Sequence, residues 1–259
     1  MRETRNAWIR TICVVFFMMM LFLLSGCAGS SSVVRVGVVD GPEAVIMEFV
    51  KEKARQENLT VEIVVCKDYA EPKRLLAKGK IDANSFQPQF FLEQQQREHG
   101  YPFAVLGRTV FFPLGLYAPG VMSLEDLSLP IQVWIPQDIE NRQRAMQLLA
   151  KTGYPLYPAE QASEAPPAIL WQAMPAEKMN GRKTPEQAFV MQPVFADEAG
   201  CAGKALLLEN ISPAYSHVLA VRQADTERVA LKKLLSVYQS EDVRYFIREH
   251  FAGSVLPAW

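Results

Sequence analysis

Cysteine and histidine are scarce in these 259 residues, four of the first and three of the second. Four cysteines cannot staple a fold of this length, and so long a chain buries enough apolar surface to stand without them. The three histidines, His99, His217 and His250, are scattered. No G-x-S-x-G, H-E-x-x-H or paired Cys–His spacing accompanies them, so the sequence predicts neither an enzyme nor a metal site or other cofactor. A basic excess is also lacking: 27 Lys+Arg face 28 Asp+Glu. Once Arg2, Arg5, Arg10 and Glu3 are set aside with the leader described below, the remainder is mildly acidic, which argues against nucleic acid as a partner. No apolar run reaches the roughly 20 residues that a membrane-spanning helix needs. What remains is a globular composition, 49% hydrophobic and 21% charged.

The first 26 residues read as an export signal. Arg2, Arg5 and Arg10 precede the apolar run Ile12–Leu24, which fits a signal-peptide core. The run ends in Leu24-Ser25-Gly26-Cys27, a bacterial lipobox pattern. Small residues before Cys27 admit the processing peptidase, and the Cys27 thiol takes the S-diacylglycerol group. Two or three acyl chains (palmitate among them) give stable anchoring where one chain would be marginal. Residues 27–32 then form the lipidated cysteine and a Gly/Ser tether. The expected location is the cell envelope, facing the periplasm or exterior, with inner and outer membrane both open.

The body alternates strand and helix signals. Val33–Val39 is a β-branched run and Asp40–Glu43 a turn. Apolar residues at helical spacing follow in Ala44–Arg55, then a second β-branched run at Leu59–Val65. Strand, helix and strand in this order mark a βαβ unit with a parallel sheet. Helices are expected over 68–77, 88–98, 140–152, 225–239 and 240–251, and a capped helix start at 123–127. A short strand is expected to follow from Gly79–Ala83, one within 105–117, and others at 131–135, 189–194, 206–208 and 215–221. Residues 154–182 show no period and read as loop-rich. The fold class that follows is α/β, with residues 33–115 plus 205–259 as one lobe and 116–204 as the other.

Several segments, in this order, resemble the NlpA family, the lipid-anchored methionine-binding subunits of ABC importers. They are Val36-Gly37-Val38 with Gly41-Pro42-Glu43-Ala44, then Asp68-Tyr69, Leu75–Phe86, Gly100-Tyr101 and Pro136–Ala145. Ser212–Tyr215, Tyr238-Gln239-Ser240 and Trp259 complete the set. The resemblance implies a two-lobed, periplasmic-binding-protein-like fold with the ligand in a cleft between lobes. It also implies a monomer that passes a small amino acid to an ABC permease and ATPase, with no reaction catalysed.

By position, the resemblance assigns Arg144 to the ligand carboxylate, where a guanidinium offers a bidentate fork, with Asn141 beside it. It assigns Tyr69, Phe86 and Phe91 to an aromatic lining suited to a thioether, and Gln192 and His217 to polar contacts. Departures accompany these matches. Pro88 stands for a usual His, Phe91 for Tyr, Gln192 and His217 for Asn, and Gln143 for Gly. They leave open a diverged lipoprotein that takes another carboxylate or a small peptide, or one that no longer serves transport. Cys66 and Cys201 could pair or stay apart.

Overall fold

The computed structural model describes residues 33–164, 166–175, 178–179, 187–196 and 205–259. Cys27 and the leader, and Cys201, lie outside the described residues. No described helix is long and apolar enough to cross a membrane.

Strand β1 (Val33–Val39) enters the core at once, with Val34, Val36 and Val38 fully buried. Asp40 and Gly41 turn the chain into helix α1 (Pro42–Gln56), whose proline sits in the first turn, where its missing N–H costs nothing. The buried stripe of α1 is Ile46, Met47, Val50 and Ala54, while Val45 faces solvent. Strand β2 (Thr60–Cys66) returns parallel to β1. Helix α2 (Glu71–Ala77), strand β3 (Ala83–Pro88), helix α3 (Gln89–His99) and strand β4 (Phe103–Arg108) follow. With strand β12 (His217–Arg222) they complete a five-stranded sheet, ordered β2-β1-β3-β12-β4. Strand β12 is antiparallel to both neighbours. On one face this sheet packs against α1 and the C-terminal helices α6 (Val229–Tyr238) and α7 (Glu241–Phe251).

The second sheet has six strands, ordered β11-β6-β10-β7-β9-β8. They are β6 (Gly115–Tyr117), β7 (Ile131–Pro136), β8 (Leu156–Pro158), β9 (Ile169–Met174), β10 (Gln187–Met191) and β11 (Leu207–Leu208). Helix α4 (Ile139–Ala150) buries Ala145, Leu148 and Leu149 against it. A four-residue helix, α5 (Pro193–Ala196), follows β10. The molecule is thus a two-lobed α/β fold. Strands β5 (Val110–Phe111) and β13 (Leu256–Pro257) pair beside the crossover, tying down the C-terminal end of the chain.

Three expectations need correction. Gly115 and Leu207–Leu208 pair within the second sheet, because β6 bonds to both β10 and β11, so these residues do not go with 33–115 and 205–259. Ser123 opens only a 3₁₀ turn, Leu124–Asp126. The segment expected to be loop-rich carries β9, parallel to β7 along its whole length. Its short run, Ile169–Met174, with prolines at 166, 167 and 175 around it, shows no apolar–polar alternation to read.

Candidate functional site

The two sheets meet across a cleft of about 640 Å³. Strands β1, β3, β7 and β10 point their C-terminal ends toward it, as open α/β sheets do at ligand sites. The turn after β1 supplies Asp40, and the first turn of α1 supplies Glu43. The β3–α3 junction supplies Phe86, Gln87, Pro88 and Phe91. Helix α4 presents Asp138, Asn141 and Arg144, and the residues after β10 present Gln192 and Phe195. Phe112 and Tyr215, from the two crossing segments, and His217, at the start of β12, close the floor. The seven residues singled out by sequence, Tyr69, Phe86, Phe91, Asn141, Arg144, Gln192 and His217, all line this one cleft.

Their geometry differs from expectation in three respects. Arg144 is buried and already holds a carboxylate, that of Glu209. Nε donates to Oε1 at 3.0 Å and Nη2 to Oε2 at 2.6 Å. Nη2 also donates to the Phe112 carbonyl at 2.8 Å, and Nη1 to Asn141 Oδ1 at 2.8 Å. A guanidinium has five N–H groups, so one, on Nη1, remains for a ligand. The fork expected to clamp a ligand carboxylate is therefore engaged. Its faces are covered too, by Tyr215 at 4.9 Å and Phe111 at 5.5 Å from ring centroids.

Asp138 caps α4, accepting from the Asn141 backbone N–H at 2.9 Å and from its side-chain Nδ2 at 3.3 Å. Asn141 is thereby fixed with its Oδ1 toward Arg144.

His217 does not stand alone in the cleft. Its Nδ1 lies 2.7 Å from Glu43 Oε1. A carboxylate only accepts hydrogen bonds, so Nδ1 carries the proton. The imidazole also packs on Phe112, with ring centroids 4.8 Å apart. Phe112 thus touches both pairs, His217 through its ring and Arg144 through its carbonyl.

Among the aromatics, Phe86 is 1% exposed and Tyr69 is 65% exposed. Their rings lie 6.2 Å apart, Phe86 as floor and Tyr69 as rim. Partial burial and the nearby charge of Glu43 raise the Tyr69 phenol above its ordinary pKa. Phe91 lines the cleft with its ring face occupied, since Lys73 Nζ sits 4.7 Å from the centroid. Burial lowers the Lys73 ammonium, which donates to Gln95 Oε1 at 3.1 Å. Pro88 is the N-cap of α3. There the next two N–H groups donate to the Ser216 and Ala214 carbonyls, both at 3.0 Å, binding α3 to the second crossing segment. Gln143, expected beside the arginine in the site, is exposed and outside the cleft lining.

A side pocket of about 100 Å³ opens from the cleft past Asn141 and Gln192, lined by Leu114, Met179, Met191 and Phe195. Among the described residues no group of three or more His, Cys, Asp or Glu is placed to hold a metal ion. Sequence reasoning missed Glu209, Gln87 and Tyr215 as parts of the site. Glu209 carried one signal, a lone carboxylate ending the apolar run Leu206-Leu207-Leu208.

Comparison with known proteins gives a consistent picture. The family model described as NlpA lipoprotein matches residues 34–259. The D-methionine-binding lipoprotein MetQ of Salmonella typhi is 28% identical over 252 residues, covering 91% of this chain and 93% of that protein. A nutrient-binding protein from Burkholderia cenocepacia, solved bound to methionine, is 29% identical with a TM-score of 0.67, over 87% of this chain and all of that one. A periplasmic substrate-binding protein of an ABC transporter from Coxiella burnetii is 30% identical with a TM-score of 0.66, at the same coverage.

Proposed function

The chain belongs to the NlpA lipoprotein family, and from that premise we propose that it is the substrate-binding protein of an ABC importer, binding methionine or a related amino acid. The observation that carries this reading is the inter-lobe cleft, which gathers aromatic, amide and charged side chains from both lobes and both crossing segments. Loading closes the lobes by rotation about those segments and presents the closed form to the permease. The work is binding and release; no bond in the ligand changes.

Within this proposal Tyr69, Phe86 and Phe91 form the aromatic wall, and the Met-lined side pocket takes the apolar side chain. Gln192 and the remaining Arg144 N–H meet the polar end of the ligand. Cys27 carries the lipid and holds the protein as a monomer at the envelope face of the membrane. The departures at Pro88, Phe91, Gln192 and His217, with the prior engagement of Arg144, favour a second reading in the same class: another small amino acid or a short peptide.

Native mass spectrometry of the chain extracted from membranes, without added ligand, tests the proposal. The expected spectrum shows one amino acid or short peptide per protein. A protein carrying none, and acquiring none from a mixture of the twenty amino acids, would overturn it.

A further inference from the structure

Charge in the cleft is lopsided. Asp40, Glu43, Asp138 and Glu140 line it, against Arg144. The Arg144 charge is already matched by Glu209, with both side chains nearly buried. The cleft therefore offers little net attraction to an anion, and low-dielectric walls focus its negative field on whatever enters.

Within that field one carboxylate is built for use. Glu43 is 5% exposed, sits in the first turn of α1, and is held by the imidazole through Oε1. The helix N-terminus favours its charge. The bond to the imidazole engages one of its two carboxylate oxygens. Gln87, opposite Val218 in the β3–β12 ladder, is a second cleft residue with unused polar atoms. The Gln87 side chain is 1% exposed, lines the cleft, and has neither its Oε1 nor its Nε2 bonded. A buried amide is ordinarily completed by a partner, a ligand or an ordered water. Both residues line the cleft, so a carboxylate and an amide oxygen are available there as acceptors, which suits an ammonium group.

Resting on the functional reading above, we propose that Glu43, positioned by His217 and assisted by Gln87, seats the cationic nitrogen of the ligand. The ammonium thereby becomes the required group, and the free carboxylate dispensable. His217 and Glu43 then set specificity toward amino acids, their esters or amides, and short peptides with a free N-terminus. N-acylated forms are excluded, because they bring a neutral amide where the site needs a cation.

Calorimetric titration of the purified full chain in detergent with four probes tests this. The probes are L-methionine, L-methionine methyl ester, N-acetyl-L-methionine and putrescine. The ester should bind within about tenfold of methionine. The N-acetyl form should bind tenfold to a hundredfold more weakly, the range for one charged hydrogen-bonding group. Glu43→Gln should weaken methionine and ester alike. N-acetylmethionine binding as tightly as methionine would overturn the proposal and leave the amino-acid reading standing. Putrescine binding alone, abolished in Glu43→Gln, would support the cation seat and overturn the amino-acid reading. Binding of none of the four would overturn the proposal and leave the amino-acid reading to the twenty-amino-acid mixture. Should Glu43→Gln fail to fold, the pair of methionine and its N-acetyl form decides on the unmodified chain.

Discussion

Arg144 and Glu209 form a nearly buried, two-bond ion pair that ties helix α4 of the second lobe to the segment returning to the first. Glu209 Oε2 also accepts from the Leu114 N–H at 3.0 Å, and the Glu209 N–H donates to the Leu114 carbonyl at 2.8 Å. Both crossing segments are thus bonded to each other and to one guanidinium. The arginine that resemblance assigned to a ligand ties helix α4 to the two crossing segments in this structure.

Removing one partner leaves the other charge buried. Arg144→Ala should cost about 3–5 kcal/mol, read as a lower midpoint in urea unfolding. Arg144→Ala with Glu209→Ala should cost clearly less than the two single changes added together. Additive losses would show that the pair is not coupled.

Asp82 gives a pH prediction. Burial alone would raise its carboxyl, but the Arg35 N–H, at 2.9 Å, and Arg228, at 2.6 Å, outweigh burial and hold it below the usual carboxylate range. A depressed folded-state pKa means stabilisation that is complete above the unfolded value, about 3.9, and lost as pH falls through the folded value. Asp82→Asn should therefore destabilise by about 1–3 kcal/mol at neutral pH. Its difference from the parent should shrink below about pH 4. A gap that holds constant down to pH 2 would contradict the ion-pair account.

Cys66 is 4% exposed. Burial, with the charges of Glu71 and Asp68, pushes its thiol up to about 11. Thiolate is the reactive form, so iodoacetamide at pH 8 should leave Cys66 unmodified in the native protein and modify it fully in guanidinium. Peptide mapping reads the outcome, and rapid native labelling would show an accessible thiolate instead.

Phe86 joins the floor of the cleft to the core. Phe86→Ala should cost about 3–5 kcal/mol in stability and weaken methionine-class ligands. A variant of unchanged stability would mean that the ring is not packed as described.

The runs at Val33–Val39 and Thr60–Cys66 made the first βαβ unit readable, because β-branched residues dominate both strands. Helix α4 was readable from its apolar period, while its cap Asp138, like Ser240 on α7, emerged only in the structure. Strand β9 was not, since six apolar residues between prolines look the same in a strand and in a loop. The seven candidate residues were found through resemblance, which gives position but not pairing. The bonds Arg144–Glu209 and His217–Glu43 span 65 and 174 residues. No local pattern in the sequence reports contacts of that separation. The opposite error occurred at Gln143, where adjacency in sequence was taken for adjacency in the cleft.

The most direct test of the central claim is calorimetric titration of the full chain in detergent with L-methionine and D-methionine. The account predicts saturable binding of one ligand per chain for at least one of them, accompanied by a rise in thermal midpoint. No heat and no stabilisation with either, nor with other free amino acids or short peptides, would contradict the reading of this cleft as an amino-acid site.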